Sequence, residues 1–497
     1  MPEAIRIPQL FLERMSRLLG NEYPAFSESL THAPVHGLRV NTLKLCADEF
    51  QEISPFPLGD KVAWCDSAFT LTPSAPPAGE GRWGREPGKH PYHLAGLYYL
   101  QDPSAMSAAE LLTPQPGERI LDLAAAPGGK TTHIASLMQG QGLLVANEIK
   151  TRRLNHLVVN VERWGASNVV VTNETPERLA DHFGAFFDRV IVDAPCSGEG
   201  MFRKDMRARL DWSEQMVAGC AVRQTNILRV AAHLVRPGGH LLYSTCTFAP
   251  EEGEAVIARF LMEHPDFEVE ALPQLAGFMP GKPEWLSLIS APFGGNQSTE
   301  HSKKSKKRSV DNRENDSLRG AVRLFPHRLT GEGHFACLLQ RKDGPVNELT
   351  FPWRSGKIPT VEWRIWQAFR EQTLGVDFPS GRLRMQGNRL YFVPEDVPDL
   401  KGLRMTIPGI WLGNFKKERF EPAHPLAMYL RPGQAHTVLG LSSDSLEMAA
   451  YLRGESLPAE GKSGWTLVTA DGWPLGWGKS VQSVVKNHFP KGWQIYS

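Results

Sequence analysis

Between Glu118 and His264 short apolar runs alternate with longer amphipathic ones, and this alternation constrains the chain more than any other feature. Strand then helix, repeated, describes a parallel sheet wrapped by helices. The pattern predicts strands over 119–124, 143–148, 168–172, 189–193 and 240–245. Helices are expected over 129–138, 150–164 and 213–235, and Pro237-Gly238-Gly239 reads as a stop and turn before the last strand.

The 497 residues can bury several cores, three or four domains at about 150 residues each. Residues 1–20 alternate Arg6, Glu13 and Arg14 with Leu10, Phe11 and Leu18, an amphipathic helix without the apolar run of a signal peptide. No stretch approaches the roughly 20 apolar residues that span a bilayer. Strand patterns resume at 322–325 and 334–340. Between them the run from His301 to Arg308 and the acidic stretch after it cannot bury enough apolar surface to order, so a disordered, solvated insertion is expected over about 296–316.

After Lys342 tryptophans at 353, 363, 366, 411, 465, 473, 477 and 493 fall in short segments punctuated by proline and glycine. One or two small strand-rich domains are expected there, with a boundary near Pro432-Gly433. From Trp477 to Trp493 basic and aromatic residues interleave. Rings can stack on splayed bases while lysines meet phosphates, or the tryptophans can simply be core. The expected division is 1–90, 91–342, 343–432 and 433–497. Net charge is only +1, so an RNA-binding surface has to be a local patch.

Small residues and glycines, Ala124-Ala125-Ala126-Pro127-Gly128-Gly129-Lys130-Thr131, join the first strand to the first helix. In a doubly wound sheet that crossing is where a nucleotide-like ligand meets backbone amides. A phosphate-binding loop is excluded, because that pattern needs glycine where Ala124 stands. Glu148, at the end of the second strand, can accept both hydroxyls of a ribose, its alternative being to cap the following helix. Adenosine without a triphosphate then fits better than ATP, and S-adenosylmethionine is the candidate. Ala125, Ala126, Pro127, Gly128, Gly129, Lys130, Thr131, Glu148 and Asp193 are its expected contacts.

Six cysteines, at 46, 65, 196, 220, 246 and 337, include no Cys-x-x-Cys pair. Neither a disulfide framework nor a metal site is suggested, and reduced thiols imply the cytoplasm. Cys46, Cys65, Cys220 and Cys337 have no chemical company in sequence. Cys196, in Asp193-Ala194-Pro195-Cys196-Ser197, and Cys246, in Ser244-Thr245-Cys246-Thr247, sit where neighbouring strands deliver their C-terminal ends. Carbon five of a pyrimidine is too unreactive to alkylate directly, and a thiolate added at carbon six makes it nucleophilic. Asp193 is placed to hydrogen-bond the base's N3 and N4 edge, and Arg203 and Lys204 to meet the nucleotide's phosphate. Spacing alone does not choose the nucleophile between the two cysteines.

These residues closely resemble the Nol/Nop/Sun family of RNA cytosine-5 methyltransferases. The resemblance is carried by 122–132, 193–204 and 243–247, with 38–44 and 98–104 upstream. It implies an α/β fold, a Rossmann-like class I methyltransferase domain with a small α+β N-terminal domain and strand-rich C-terminal RNA-binding domains. It also implies that Cys246 attacks the base and that Cys196 assists release. A narrower likeness, over 197–205, 248–252, 324–328 and 331–335, is to a branch acting on the decoding region of 16S ribosomal RNA. That branch implies an RRM-like N-terminal module and a PUA-like C-terminal one. Many relatives place an aspartate after strand three against adenine, and Asn173, which stands there in this chain, is the expected adenine contact in its place.

The resulting expectation is a monomeric, non-membrane enzyme whose partner is 16S rRNA, within the small ribosomal subunit or an assembly intermediate. A tRNA cytosine is the alternative substrate. A ribosome-assembly factor without catalysis is the contrasting reading. The intact set Asp122, Glu148, Asp193, Cys196 and Cys246 speaks against it, because a binding protein needs no two thiols beside a cofactor loop.

Overall fold

The computed structural model describes residues 7–71, 83, 86–275, 277–289, 316–345, 358–395, 397–458 and 463–495. The charged run read as a disordered insertion lies almost wholly outside them. Four antiparallel strands come first: β1 (His36–Val40), β2 (Leu58–Val62), β3 (Cys65–Leu71) and β4 (Tyr98–Gln101), in the order β2-β3-β1-β4. With the helices Ala47–Ile53 and Pro91–Leu94 the unit is a βαββαβ fold. A boundary at residue 90 would cut this sheet, because Tyr98 to Gln101 pair with Val40 to Gly37. The leading helix, Gln9–Leu19, turns its apolar face elsewhere: Phe11, Met15 and Leu18 pack with Phe202, Trp212 and Phe248 of the central region.

The central sheet carries β5 (Arg119–Asp122), β6 (Leu143–Asn147), β7 (Val169–Thr172), β8 (Phe187–Asp193) and β9 (Val235–Thr245), parallel in the order β9-β8-β5-β6-β7. Every residue of β6 and β7 is buried, as a sheet covered on both faces requires. The chain steps outward from β5 to β7 and restarts at β8 on the other side, which opens a crevice at the C-terminal strand ends. The strands β10 (Phe267–Glu270), β11 (Met279–Pro280), β12 (Val322–Leu324) and β13 (His334–Arg341) extend the sheet, β13 lying antiparallel to β9. The turn expected at Pro237-Gly238-Gly239 does not precede the last strand. It lies inside β9, where Gly238 takes φ +72 and the register against β8 shifts between Phe187 and Arg189, so a bulge absorbs the glycines.

The division expected at 343 is also crossed. Met405–Ile407 pairs antiparallel with β7 and covers that edge, while Val393, Val397, Leu400 and Ile407 join the central core. A four-stranded antiparallel sheet spans Leu383 to Pro422, and a five-stranded one Val438 to Asn487. The two share a core containing Trp366, Leu426, Leu467 and Trp477, so the break near Pro432-Gly433 separates sheets without separating cores. Trp477 is buried and donates from Nε1 to Ala423 O at 3.0 Å, which corrects the base-stacking reading for this ring. Among the described residues no helix is long and apolar enough to cross a membrane.

Candidate active site

Beyond Asp122 the chain turns through Gly128, left-handed at φ +110, into the helix Gly129–Leu137. The turn is held from the helix Thr151–Trp164: Arg153 donates to Ala126 O and Asn160 Nδ2 to Pro127 O at 2.7 Å. It is held from β1 as well, where the buried Arg39 donates from Nη2 to Gly129 O at 3.0 Å and Thr132 Oγ1 at 2.8 Å. Sequence reasoning included Arg39 in a motif but had no signal for this contact.

Asp122 is fully buried and accepts from Thr131 Oγ1 at 2.7 Å, while its Oδ1 has no hydrogen-bond partner. Burial pushes its pKa up to about 7. Glu148, just beyond β6, divides its oxygens. Oε1 accepts from Lys150 N at 2.8 Å, the helix-start role, and buried Oε2 has an Arg153 nitrogen at 3.2 Å but no hydrogen bond. Buried acceptors are rarely left unpaired in native proteins. Two of them at adjacent strand ends, beside a glycine turn, fit the ribose hydroxyls and positive charge of S-adenosylmethionine. Asn173 fits its expected adenine contact less well: Nδ2 donates to Glu148 O at 2.6 Å and Ile149 O at 3.1 Å, so both amide hydrogens fix the backbone under Glu148.

The pairing of Asp193 with Ser244 across β8 and β9 brings the two cysteine turns together. Cys196 Sγ and Cys246 Sγ lie 3.1 Å apart, both partly exposed. The bond to Cys246, with burial, pushes the Cys196 thiol well above its ordinary range. Asp193 accepts from Lys130 Nζ at 2.7 Å and from Ser244 Oγ at 3.1 Å, so Lys130 leaves the cofactor turn and reaches the thiol side of the crevice. Burial acts to lower the Lys130 pKa, and the Asp193 carboxylate outweighs it and raises it. His334 is buried alongside, 2.9 Å from Ser104 Oγ, and burial lowers it to about 4, leaving it neutral.

The two expected phosphate ligands are otherwise engaged. Arg203 is 5% exposed at its side chain and donates to Glu332 Oε2 at 3.0 Å and to Gly331 O at 2.6 Å. Freeing it would strand Glu332, 1% exposed, as a buried charge. Lys204 is bonded to Asp102, and both side chains are largely buried. Of the remaining thiols, Cys220 is buried in the helix Glu214–Ala232 and burial pushes it up to about 11. Cys65 is less isolated than its sequence suggests: it lies 3.6 Å from His133 Nε2, which is 2.9 Å from Glu110 Oε1. The charge of neighbouring Arg39 acts on Cys65 and Glu110, so a cation already serves this network.

A doubly wound sheet with buried, unfilled acceptors at one pair of strand ends and two thiols at the next fits the frame of a methyltransferase. Four family models cover the chain in order. They are the N-terminal domain of 16S rRNA methyltransferase RsmF over 7–103, 16S rRNA methyltransferase RsmB/F over 109–340, the RsmF first C-terminal domain over 368–430 and the RsmF PUA domain over 439–495. Ribosomal RNA small subunit methyltransferase F of Aeromonas salmonicida is 31% identical over 469 residues, 91% of this chain and 90% of that protein. The enzyme of the same name from Erwinia tasmaniensis is 30% identical over 97% of this chain and 96% of its own. A solved methyltransferase homolog from Pyrococcus horikoshii superposes with a TM-score of 0.53 at 27% identity, covering 68% of this chain and 96% of its own. The chain belongs to the RsmB/F family of 16S rRNA methyltransferases. It is an S-adenosylmethionine-dependent RNA cytosine-5 methyltransferase.

Proposed function

We propose that the enzyme methylates carbon five of a cytosine in the decoding region of 16S rRNA through a covalent bond between Cys246 Sγ and carbon six. The observation that carries this reading is the pair of thiols 3.1 Å apart beside the Lys130–Asp193 ion pair. An ordinary free thiol with pKa about 8.5 is only a few per cent thiolate at neutral pH. Lys130 Nζ, paired with Asp193 beside the two thiols, sets a cation near Cys246. Cys246 adds to carbon six, and Asp193 accepts from the cytosine N4 amine and orients the ring. Lys130 offsets the negative charge that develops on the base. When bound, S-adenosylmethionine supplies an electrophilic methyl group, and Asp122 and Glu148 hold the donor on the far side of the crevice. Carbon five bonds the methyl group, its proton then passes to the Cys196 sulfur as thiolate, and the electrons of that C–H bond restore the ring double bond as the carbon–sulfur bond breaks, so that Cys246 leaves as thiolate and 5-methylcytosine is released.

A cytosine stacked in a helix cannot reach thiols at the bottom of this crevice, so the target enters flipped out or from a loop. Ribosomal substrate, free or in an assembling subunit, places the enzyme in the cytoplasm. The test is bisulfite sequencing of ribosomal and transfer RNA from cells with and without the active gene. Loss of protection at a decoding-region cytosine is expected; loss confined to a tRNA cytosine overturns the substrate.

A further inference from the structure

Two sulfurs at 3.1 Å can ionise only one at a time, and the charges around them differ on the two sides. Lys130 acts on Cys246, whereas Glu252 acts on Cys196. Glu252 is fully buried in the single turn Pro250–Glu252 that follows β9. Its Oε2 accepts from Ser197 N at 2.9 Å and Gln224 Nε2 at 2.8 Å, and the same Gln224 nitrogen reaches Pro195 O at 3.0 Å. Both chain neighbours of Cys196 thus hang on one carboxyl group. Oε1 bonds to Ser197 Oγ and lies 3.1 Å from Thr247 Oγ1, on the residue after Cys246. Thr247 Oγ1 is also 3.0 Å from Ser197 Oγ and 3.1 Å from Glu199 Oε2.

Proton counting limits the charge of this cluster. The contacts Ser197–Glu252, Ser197–Thr247, Thr247–Glu252 and Thr247–Glu199 need one proton each, and the two hydroxyls bring only two. One carboxyl proton, exchanged between Glu199 and Glu252 through Thr247 Oγ1, fills a third. Burial supports this, raising both acids, Glu252 to about 7. The other groups facing the pair are Arg14, bonded to Glu251, together with Cys220 and Tyr243. Two carboxyls sharing one proton leave one negative charge on the Cys196 side.

We propose that Glu252 is the positioning residue that gives the two cysteines different roles. It pins the Cys196 turn against the strand end bearing Cys246 and, with Glu199 across Thr247, keeps negative charge beside Cys196, so that the pair ionises at Cys246 and its proton stays on Cys196. The inference rests on Cys246 being the attacker, and supplies the physical reason that spacing in sequence could not.

The test uses the full-length protein without RNA or methyl donor, so it reads ionisation of the thiols and not catalysis. Iodoacetamide alkylation near neutral pH is quantified at each cysteine by peptide mass spectrometry. Cys246 is expected to react faster than Cys196 in the unmodified protein. Glu252→Gln, which keeps the shape and confines the shared negative charge to Glu199 on the far side of Thr247, narrows that ratio by about threefold or more through a faster Cys196. Glu252→Asp returns the charge and moves the ratio back toward the original. An unchanged ratio in Glu252→Gln overturns the proposal, as does faster alkylation of Cys196 in the unmodified protein, a result that needs no variant to fold. If Cys246→Ala methylates RNA normally, the attacker assignment fails instead.

Discussion

At the residue scale, the buried oxygens of Asp122 and Glu148 that accept no hydrogen bond are the most informative atoms beside the glycine turn. A buried acceptor is costly unless a ligand completes it. Glu148→Ala should therefore weaken S-adenosylmethionine binding about 10- to 100-fold, the equivalent of a charged hydrogen bond at about 1.5–3 kcal/mol, read by calorimetry. Asp122 gives that binding a pH dependence. Its carboxyl holds a proton up to about 7 in the free protein, and a cationic donor lowers that value, so binding expels the proton. Affinity should rise with pH up to about 7 and level off above it, and in Asp122→Asn the dependence should flatten. The same raised value means that Asp122 stabilises the free fold at low pH and loses that contribution as pH climbs through about 7. Glu148 was legible in the sequence because it ends a strand of a doubly wound sheet, whereas Asp122 stood inside an expected strand and was not among the expected donor contacts. Nor was Arg203 legible, since a charged residue says nothing of a partner 129 positions away.

At the scale of elements, the loop before β13 is tied to both cysteine turns by backbone hydrogen bonds. Gly333 N donates to Gly200 O at 3.2 Å, and Gly200 N to Cys246 O at 3.0 Å. A Cβ on Gly333 would stand 2.2 Å from the Phe248 ring and 2.9 Å from Gly200 Cα. Gly333→Ala should cost about 1–3 kcal/mol, seen as a lower thermal midpoint, and should slow methylation more than it weakens donor binding. The five parallel strands were legible because a period of two set against a period of 3.6 is a local signal. The strand Met405–Ile407 was not: three residues that pair with β7 from more than two hundred positions away carry no periodicity of their own. The βαββαβ unit was cut short at residue 90 for a related reason, because β4 is only four residues long and runs almost directly into the helix Pro103–Leu112.

At the scale of the whole molecule, the parts expected to be separate are interlocked. The first helix packs on the central region, Arg39 of β1 grips the donor turn, and residues from beyond 390 finish the central core. Each large apolar side chain among them is worth about 1.5–3 kcal/mol, against a total stability of about 5–15 kcal/mol. A chain ending at residue 345 should therefore aggregate or lose its cooperative thermal transition, where an independent domain would keep both. The central claim, covalent attack by Cys246 with release through Cys196, is tested most directly on a denaturing gel of protein mixed with small-subunit RNA and S-adenosylmethionine. The account predicts that Cys196→Ala accumulates a heat-stable protein–RNA band that vanishes when Cys246→Ala is added. A band that survives the second substitution, or full methylation by Cys246→Ala alone, would contradict it.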